Sequence, residues 1–432
     1  MANQVEKLNG IAIGSIEKVN DLTDANIEKI NGLEFTGTVA LAVTSLDSQL
    51  TGNSTRHWGL SQAYDEDNNQ VIFCYGDNNN SDYGTCIVMA ADKSHGSAVV
   101  FSNSGSTYHT GAVYNTSDNR LMVAYHTTSG TNDYRIIGGT MGTKTVTFAT
   151  GGHTVVDAGS NGANQADGTD ICSYDPTSNV AIVSIENGGD SGHNYVYACT
   201  IDTSDDSITV GTGVEFVDTT QERFQLNYDP DIGKPVVIYY DGSKVGARVI
   251  SLGGTGNRTI TLGTEALYSV TSSHAGGGQN GGTWAVYDTG NNTHHVYMSV
   301  GGNYVLNYFT VSGTTVTWAA TAKEQVAQST TTACRGLLYQ HNRNKLMTYG
   351  HTSSGSGTFE FDIYTFDGTD YTHDSSTGST NIETSFGGLH TLNASMDGVD
   401  HSAFGYGLVF SYNEDLGGSG GHLRAVGVEL GG

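Results

Sequence analysis

The sequence predicts an all-β fold, a seven-bladed β-propeller that is closed by an N-terminal strand and preceded by a short arm. Three observations predict it: the composition, a strand-and-turn motif that recurs seven times, and one strand left over near the N-terminus. The 432 residues include 59 Gly and 24 Tyr but only 3 Pro. Such a composition favours many short strands joined by tight turns over a helical bundle.

The long repeat is an apolar strand that ends in an aromatic and a polar turn residue, followed by a second apolar strand. Its first copy runs through Tyr64 and Asp65 and continues in residues 71–75. Two further strand-like runs follow, here residues 84–89 and 97–101, and four strands in about 50 residues are typical of a propeller blade. The repeats fill residues 36–432. Two stacked sandwiches are the alternative fold, but such a fold would not require the repeats to be evenly spaced. The spacing is 50 to 60 residues between successive members of the series Tyr64, Tyr114, Tyr174, Tyr228, Tyr287, Tyr339 and Met396.

The seventh repeat is one strand short. After the sixth repeat only the strand before Met396, residues 408–412 and residues 423–430 have strand-like patterns. Residues 38–43 (TVALAV) precede the first complete blade and are predicted to supply the missing outer strand. A strand from one terminus that completes the blade of the other closes the ring and removes an open sheet edge.

Residues 1–35 hold a different repeat, with the units VEKLNGI, IEKVNDL and IEKINGL at an offset of 11 residues. Their Asn-Gly and Asn-Asp pairs suit positive φ, so each unit is predicted to form a tight turn, with a helical 11-residue repeat as the alternative. Three such units bury little by themselves. We therefore predict a docking arm, with an ordered tail on its own domain as the alternative, whose apolar contacts are Val5, Leu8, Ile11, Ile16, Val19, Leu22, Ile27, Ile30 and Leu33.

Charge and composition exclude several partners. With 18 basic and 44 acidic residues the net charge is −26, which argues against binding to nucleic acid or to an anionic membrane. No run of 18 apolar residues and no signal peptide are recognised. The five cysteines form no C-x-x-C motif and are expected to be small buried side chains that stay reduced in cytoplasm.

A ligand site is expected near the starts of the innermost strands, around the channel. No catalytic residues are predicted there, because a glycosidase needs two carboxylates and a sialidase-like site needs several arginines. No cofactor and no metal ligands are predicted either: the Asp-rich loops 65–69 and 77–82 are interpreted as Asx turns, and neighbours His294 and His295 in a strand face opposite ways. The possible ligand rim consists of His57, His109, Asp170, Arg223, Trp284 and Arg335.

The three IEKING-type units resemble the N-terminal segments of virion structural proteins from marine tailed phages, cyanophages in particular. The resemblance covers about 35 residues, and Asn20-Asp21 departs from it. It implies a non-enzymatic protein that is assembled in the host cytoplasm and located in the virion. Its arm would attach to other virion proteins of the capsid or tail.

In this interpretation the propeller faces outward as a decoration or as a tail fibre-like head that binds the host surface, with a surface glycan as an expected ligand. The alternative is a virion-borne or secreted glycan hydrolase or lectin that uses the propeller channel. The sequence argues against a bacterial surface lectin, because no export signal is recognised.

Overall fold

The computed structural model is an all-β protein built from antiparallel sheets. Beyond the fully described residues, it gives the backbone pairing of several further strands. The two described helical segments, Asn78–Asn80 and Thr255–Asn257, are single 3₁₀ turns, and neither is long or apolar enough to cross a bilayer. Backbone and side chains are described together over residues 60–107, 110–128, 133–150, 154, 156, 171–187, 192–218, 224–273, 284–321, 323–324, 326, 336–340, 343–349 and 361–374.

Seven of the sheets have four or more strands, and we number them in chain order. Sheet 5 has its inner position shared by two short strands that pair with the same neighbour. Sheet 1 consists of His57–Asp65, Gln70–Asp77, Tyr83–Ala90 and Val99–Ser102, and sheet 2 of Thr107–Asn115, Arg120–Thr127, Asp133–Gly142, Thr145–Phe148 and Thr154–Asp157.

Sheet 3 consists of Cys172–Asp175, Val180–Asn187, His193–Ile201, Ile208–Val210 and Val214–Val217; sheet 4 of Phe224–Asp229, Lys234–Tyr240, Val245–Gly253, Thr259–Leu262 and Ala266–Leu267; and sheet 5 of Ser272–His274, Ala285–Asp288, Thr293–Val300, Asn303–Ser312, Thr315–Trp318 and Glu324–Gln325.

Sheet 6 consists of Thr332–Gln340, Lys345–Thr352, Phe359–Phe366 and Tyr371–Thr380, and sheet 7 of Leu389–Ser395, Leu408–Asp415, Gly421–Leu430 and Leu41–Asp47.

In sheets 1 to 4 and 6, the strand that carries the repeated tyrosine and polar residue is the first strand of the sheet, and in sheet 5 it is the second, Ala285–Asp288. In sheet 7 the corresponding strand is Leu389–Ser395, which comes just before Met396. We call these seven strands the anchor strands. Successive anchor strands contact one another from sheet 1 to sheet 7, and Leu389–Ser395 of sheet 7 contacts His57–Asp65 of sheet 1. The contacts therefore close into a cycle. The anchor strands are His57–Asp65, Thr107–Asn115, Cys172–Asp175, Phe224–Asp229, Ala285–Asp288, Thr332–Gln340 and Leu389–Ser395.

The apolar residues form layers between neighbouring sheets. In sheets 1 to 4 the second strands contain continuous apolar runs, such as Val71–Tyr75, and these are buried on both faces because a sheet packs on each side. Between sheets 1 and 2, for example, Ile72 and Val88 pack with Leu121 and Val123. Equivalent layers lie between sheets 4 and 5 and between sheets 5 and 6. Each sheet is thus stabilised mainly by its two neighbours.

The anchor strands of sheets 1 to 5 each run into an Asx turn. In sheet 3 the Asp175 carboxylate accepts hydrogen bonds from the backbone N–H groups of Thr177 and Ser178, at 2.9 and 3.2 Å. Asn179 then adopts a φ of 54°, a left-handed conformation that asparagine tolerates well. Asp65 accepts a bond from the Asn68 N–H in the same way. The interpretation of the loop at residues 65–69 as an Asx turn is confirmed.

The predicted closure by an N-terminal strand is confirmed, with shifted bounds. The strand is Leu41–Asp47, three residues beyond the predicted start, and it pairs antiparallel with Gly421–Leu430 from the C-terminal end. Leu41 lies opposite Leu430, and Val43 lies opposite Val428. Sheet 7 is therefore built from both ends of the chain.

The arm folds as three separate two-stranded hairpins, so the turn interpretation is confirmed and the helical alternative is wrong. The strands Lys7–Leu8 and Ile11–Ala12 pair with two residues between them, and the other two units repeat this arrangement. Of the predicted docking residues, Val5, Ile16 and Ile27 lie outside the described residues. The others are cross-strand neighbours in the pairs Leu8 with Ile11, Val19 with Leu22, and Ile30 with Leu33.

Candidate functional site

The structure places the predicted rim residues that it describes at the starts of the anchor strands. His57, His109 and Arg335 belong to the anchor strands of sheets 1, 2 and 6, although their side chains are outside the described part. Asp170 and Arg223 lie outside the described residues. The anchor strands contact one another in a cycle, and in sheets 2 to 5 the tyrosine near the end of each one reaches the turn after the preceding anchor strand. These neighbouring strands therefore run in the same direction, and their starts share one end of the cycle.

Trp284 is a correction to the predicted rim. Its side chain is 3% exposed and belongs to the apolar layer between sheets 4 and 5, together with Val236 and Val296. Its backbone N–H donates to Oε1 of Gln225 at 2.9 Å. The position of Trp284 just before an anchor strand predicted a rim residue, but its indole packs between the two sheets. Trp284 is therefore a core residue and not part of a ligand rim.

A polar row lies at the same end of sheet 1. The register places His57 opposite Asp77, and Asp77 opposite Tyr83, so the three residues form one row across three strands. Asp77 and Tyr83 are half-buried. Burial raises the pKa of the Asp77 carboxyl, while a hydrogen bond from the Asn79 backbone acts to lower it. The row joins a residue of the predicted rim to two side chains that the rim prediction did not include.

Residues 77–82 connect the second and third strands of sheet 1, and we call them the Asn/Asp loop. The Asp77 carboxylate accepts from the Asn79 N–H at 3.1 Å, which confirms the predicted Asx turn. The side chain of Asn78 donates to Asp82 at 2.7 Å. Ser81 and Asp82 have φ values of 59° and 58°, a left-handed conformation that is uncommon for residues other than glycine. Two such residues in succession are held by the loop's own hydrogen bonds.

The Asn/Asp loop is also tied to sheet 2. The backbone N–H of Thr107 donates to the Asp82 carbonyl oxygen at 2.7 Å, and the Ser106 hydroxyl donates to its carboxylate at 3.3 Å. Thr107 begins the anchor strand that contains His109. The loop therefore bridges the strand starts of sheets 1 and 2, where two of the predicted rim residues lie. The sequence singled out the loop for its oxygen-rich side chains, but nothing in the sequence signalled this bridge.

A second polar cluster lies inside the molecule, at the ends of the anchor strands of sheets 4 and 5. Nε2 of His294 is 3.1 Å from Asp229 of sheet 4, and Nε2 of His295 is 3.2 Å from Asp288 of its own sheet. Nδ1 of His295 is 2.7 Å from the hydroxyl of Tyr371 in sheet 6. The two imidazoles thus face opposite sides of one strand, as predicted, and they have no common ligand.

Both imidazoles are fully buried, and burial lowers the pKa of each despite the nearby carboxylates. They are consequently neutral near pH 7 and hydrogen-bonded within the packing between sheets. This arrangement stabilises the sheets and is closed to substrates. Among the residues that the structure describes, no three His, Cys, Asp or Glu side chains group as metal ligands.

Comparison with known proteins identifies the fold class. No family model and no curated protein sequence matches the chain. Among solved structures, the BP39L lectin from Burkholderia pseudomallei has 12% identity and a TM-score of 0.56, with 87% of this chain and 98% of the lectin covered. The periplasmic gluconolactonase PpgL from Pseudomonas aeruginosa has 10% identity, a TM-score of 0.47 and coverage of 76% and 86%. At this identity the likeness to the lectin concerns the fold alone, and the chain is an all-β protein of the β-propeller kind.

Proposed function

We propose that this protein is a seven-bladed β-propeller that binds carbohydrate, without catalysis, at the end of the channel where the anchor strands begin. The observation that carries the proposal is the row of His57, Asp77 and Tyr83 together with the Asn/Asp loop, which bridges sheets 1 and 2 at that end. The fold shared with the BP39L lectin supports it.

The blade count follows from the sheets. Seven sheets have four or more strands, their anchor strands contact one another in a cycle, and sheet 7 takes its last strand from the N-terminal part of the chain. A ring of seven blades accounts for all three observations. It also leaves each sheet with neighbours on both faces, as the buried second strands require.

The chemistry of the loop suits a neutral glycan. Sugar hydroxyls are bound by amide and carboxylate groups held in a fixed geometry, and a neighbouring tyrosine ring offers an apolar face to the sugar ring. The loop supplies three asparagines and two aspartates beside Tyr83. A net charge of −26 would repel sulfated or uronic polysaccharides. We therefore expect neutral sugars as ligands.

Glycan-array screening followed by calorimetric titration of the retained sugar tests the proposal. Asp77→Ala removes the acceptor that organises the Asn/Asp loop and should weaken binding by roughly tenfold or more, as expected for lost hydrogen bonds in a formed site. The matched control is Asp367→Ala, which removes an equivalent Asx turn between the third and fourth strands of sheet 6, at the other end of the sheet. The control should bind as the wild type does.

Any of three results would overturn the proposal. The first is an equal loss of binding in Asp77→Ala and Asp367→Ala, and the second is that the array retains no glycan at all. The third is release of reducing ends from the bound glycan, abolished by Asp170→Asn, because it would identify the protein as a hydrolase that uses the channel.

We further propose that the arm attaches this head to a larger particle, a virion in the first instance. The supporting observation is that, in the strand pairing that the structure describes, the three hairpins are separate two-stranded sheets that do not pair with the seven larger sheets. Deleting residues 1–35 leaves the closing strand Leu41–Asp47 in place. The truncated protein should stay folded and bind the same glycan but fail to incorporate into particles; normal incorporation would contradict the role of the arm.

A further inference from the structure

Two cysteines lie directly opposite each other in the interior of sheet 1. Cys74 is in the second strand and Cys86 in the third, and the register makes them cross-strand partners. Both are 0% exposed and share the apolar layer between sheets 1 and 2. Side chains directly opposite each other on one face of an antiparallel pair have Cβ atoms about 4.5–5.5 Å apart, and the short end of this range meets the Cβ distance of about 3.5–4.5 Å that a disulfide requires.

The distance between the two sulfur atoms is shorter than the usual distance between two non-bonded thiols. Their distance is 2.6 Å, whereas non-bonded heavy atoms rest about 3.5–4.0 Å apart. A covalent S–S bond is about 2.05 Å long. The two side chains therefore already point at each other, and bond formation needs the sulfur atoms to approach by about 0.5 Å, with at most a slight approach of the two strands.

We propose that Cys74 and Cys86 form a disulfide that joins the second and third strands of sheet 1. The oxidant is a small-molecule disulfide such as oxidised glutathione. One cysteine thiol loses its proton and attacks the oxidant, which releases one glutathione thiol; the other then attacks the mixed disulfide and releases the second. Two electrons pass from the cysteine pair to glutathione, and one disulfide and two thiols are present before and after.

The bond spans the Asn/Asp loop, because residues 77–82 lie between the two cysteines. The disulfide closes a short loop of chain between residues 74 and 86. This limits how far the second and third strands can separate when sheet 1 unfolds locally. Burial is the main cause that raises the pKa of the Cys86 thiol, so the exchange runs slowly in the closed sheet and faster when the sheet opens.

Peptide mapping of the full chain tests the proposal. The protein is incubated with oxidised glutathione a few degrees below its melting temperature, free thiols are blocked, and the chain is cleaved at aspartate. Cleavage at Asp77 or Asp82 separates the two cysteines, so their peptides stay joined only if the bond is present. We expect the joined peptides, with loss of two of the five thiols, and a melting temperature that falls by several degrees when dithiothreitol is added.

Cys199→Ala is the matched control. Cys199 is also 0% exposed in a third strand, but its register partners are Ala181 and Val210. This variant should still form the joined peptides, and Cys86→Ala should not. Five free thiols after the incubation would overturn the proposal, as would a link that involves a different cysteine. The wild-type comparison with and without dithiothreitol decides the matter even if a variant does not fold.

Discussion

In sheets 2 to 5, the tyrosine next to the last residue of the anchor strand links its sheet to the preceding one. Its hydroxyl reaches the Asx turn of the previous repeat, so one side chain contributes both to the turn and to the junction between sheets. Burial first, and then the hydrogen bond with Asp231, raises the pKa of Tyr287, which keeps this hydroxyl a donor. The bonds run from Tyr114 to Asp67, from Tyr174 to Asn115 at 2.7 Å, between Tyr228 and Thr177 at 2.8 Å, and from Tyr287 to Asp231 at 2.7 Å.

Tyr287→Phe tests the contribution of one such bond. The change removes the donor to a carboxylate between sheets 4 and 5 and leaves the ring, which contacts His294, in place. We expect the free energy of unfolding to fall by roughly 1–3 kcal/mol, the range for a hydrogen bond to a charged group. Denaturant unfolding measures it.

Tyr240→Phe is the control, because that hydroxyl donates at an exposed position to Gly242 of its own loop at 2.7 Å. It should change stability by less than about 0.5 kcal/mol. If both variants lost the same free energy of unfolding, the bond between repeats would stabilise the protein no more than an exposed bond within one loop does.

The strand from the N-terminal part of the chain is the element on which closure of sheet 7 depends. Its backbone pairing with Gly421–Leu430 joins residues that are nearly the whole chain apart in sequence. Leu41 is the first residue of the strand, where proline is tolerated, whereas Val43 lies within the paired region opposite Val428. A proline at position 43 therefore probes the closure, and one at position 41 does not.

We expect Val43→Pro to destabilise the protein by about 3 kcal/mol or more, because proline cannot donate to the ladder within a paired strand. The drop should appear as a lower melting temperature. Ile11→Pro, in the first hairpin of the arm, is the matched control and should leave the melting temperature of the ring unchanged. Equal melting of Val43→Pro and wild type would show that this strand is dispensable for the ring.

Strand-level features were predictable where a local pattern determines them. The Asn-Gly pairs predicted the hairpins of the arm, and the polar residue after each tyrosine predicted the Asx turns. The rim was predicted less well, because a strand start does not say which way a side chain faces. Trp284 illustrates this: its indole fills the layer between sheets 4 and 5, a requirement set by residues far away in sequence.

At the scale of the whole molecule, the spacing of the tyrosines predicted one large sheet per period, and the part of the chain that the structure describes contains seven sheets of four or more strands. The seventh copy has Met396 in place of tyrosine, and methionine has no hydroxyl to donate. The same copy is completed by Leu41–Asp47. The bridge between the Asn/Asp loop and sheet 2 could not be predicted, because it depends on the left-handed turn at Ser81 and Asp82. Periodicity gives the order of the sheets, and local backbone conformation decides how their loops meet.

The buried histidines make the stability of the whole ring depend on pH. Burial lowers the pKa of His126 to about 4, against a raising effect of Asp133, and burial likewise lowers the pKa of His294 and His295. These groups are neutral in the folded protein, whereas an exposed histidine in the unfolded chain titrates near 6.5. Below about pH 6.5 the unfolded state therefore binds more protons than the folded state, and stability falls.

We expect the free energy of unfolding to be constant above about pH 7 and to decrease steadily toward pH 5, with on the order of 2 kcal/mol lost through His126 alone. Denaturant unfolding at a series of pH values measures the slope. His126→Gln should reduce that slope, because glutamine does not titrate. A wild-type stability that rose between pH 7 and pH 5 would contradict the burial of neutral imidazoles between the sheets, and with it the packing that holds the ring together.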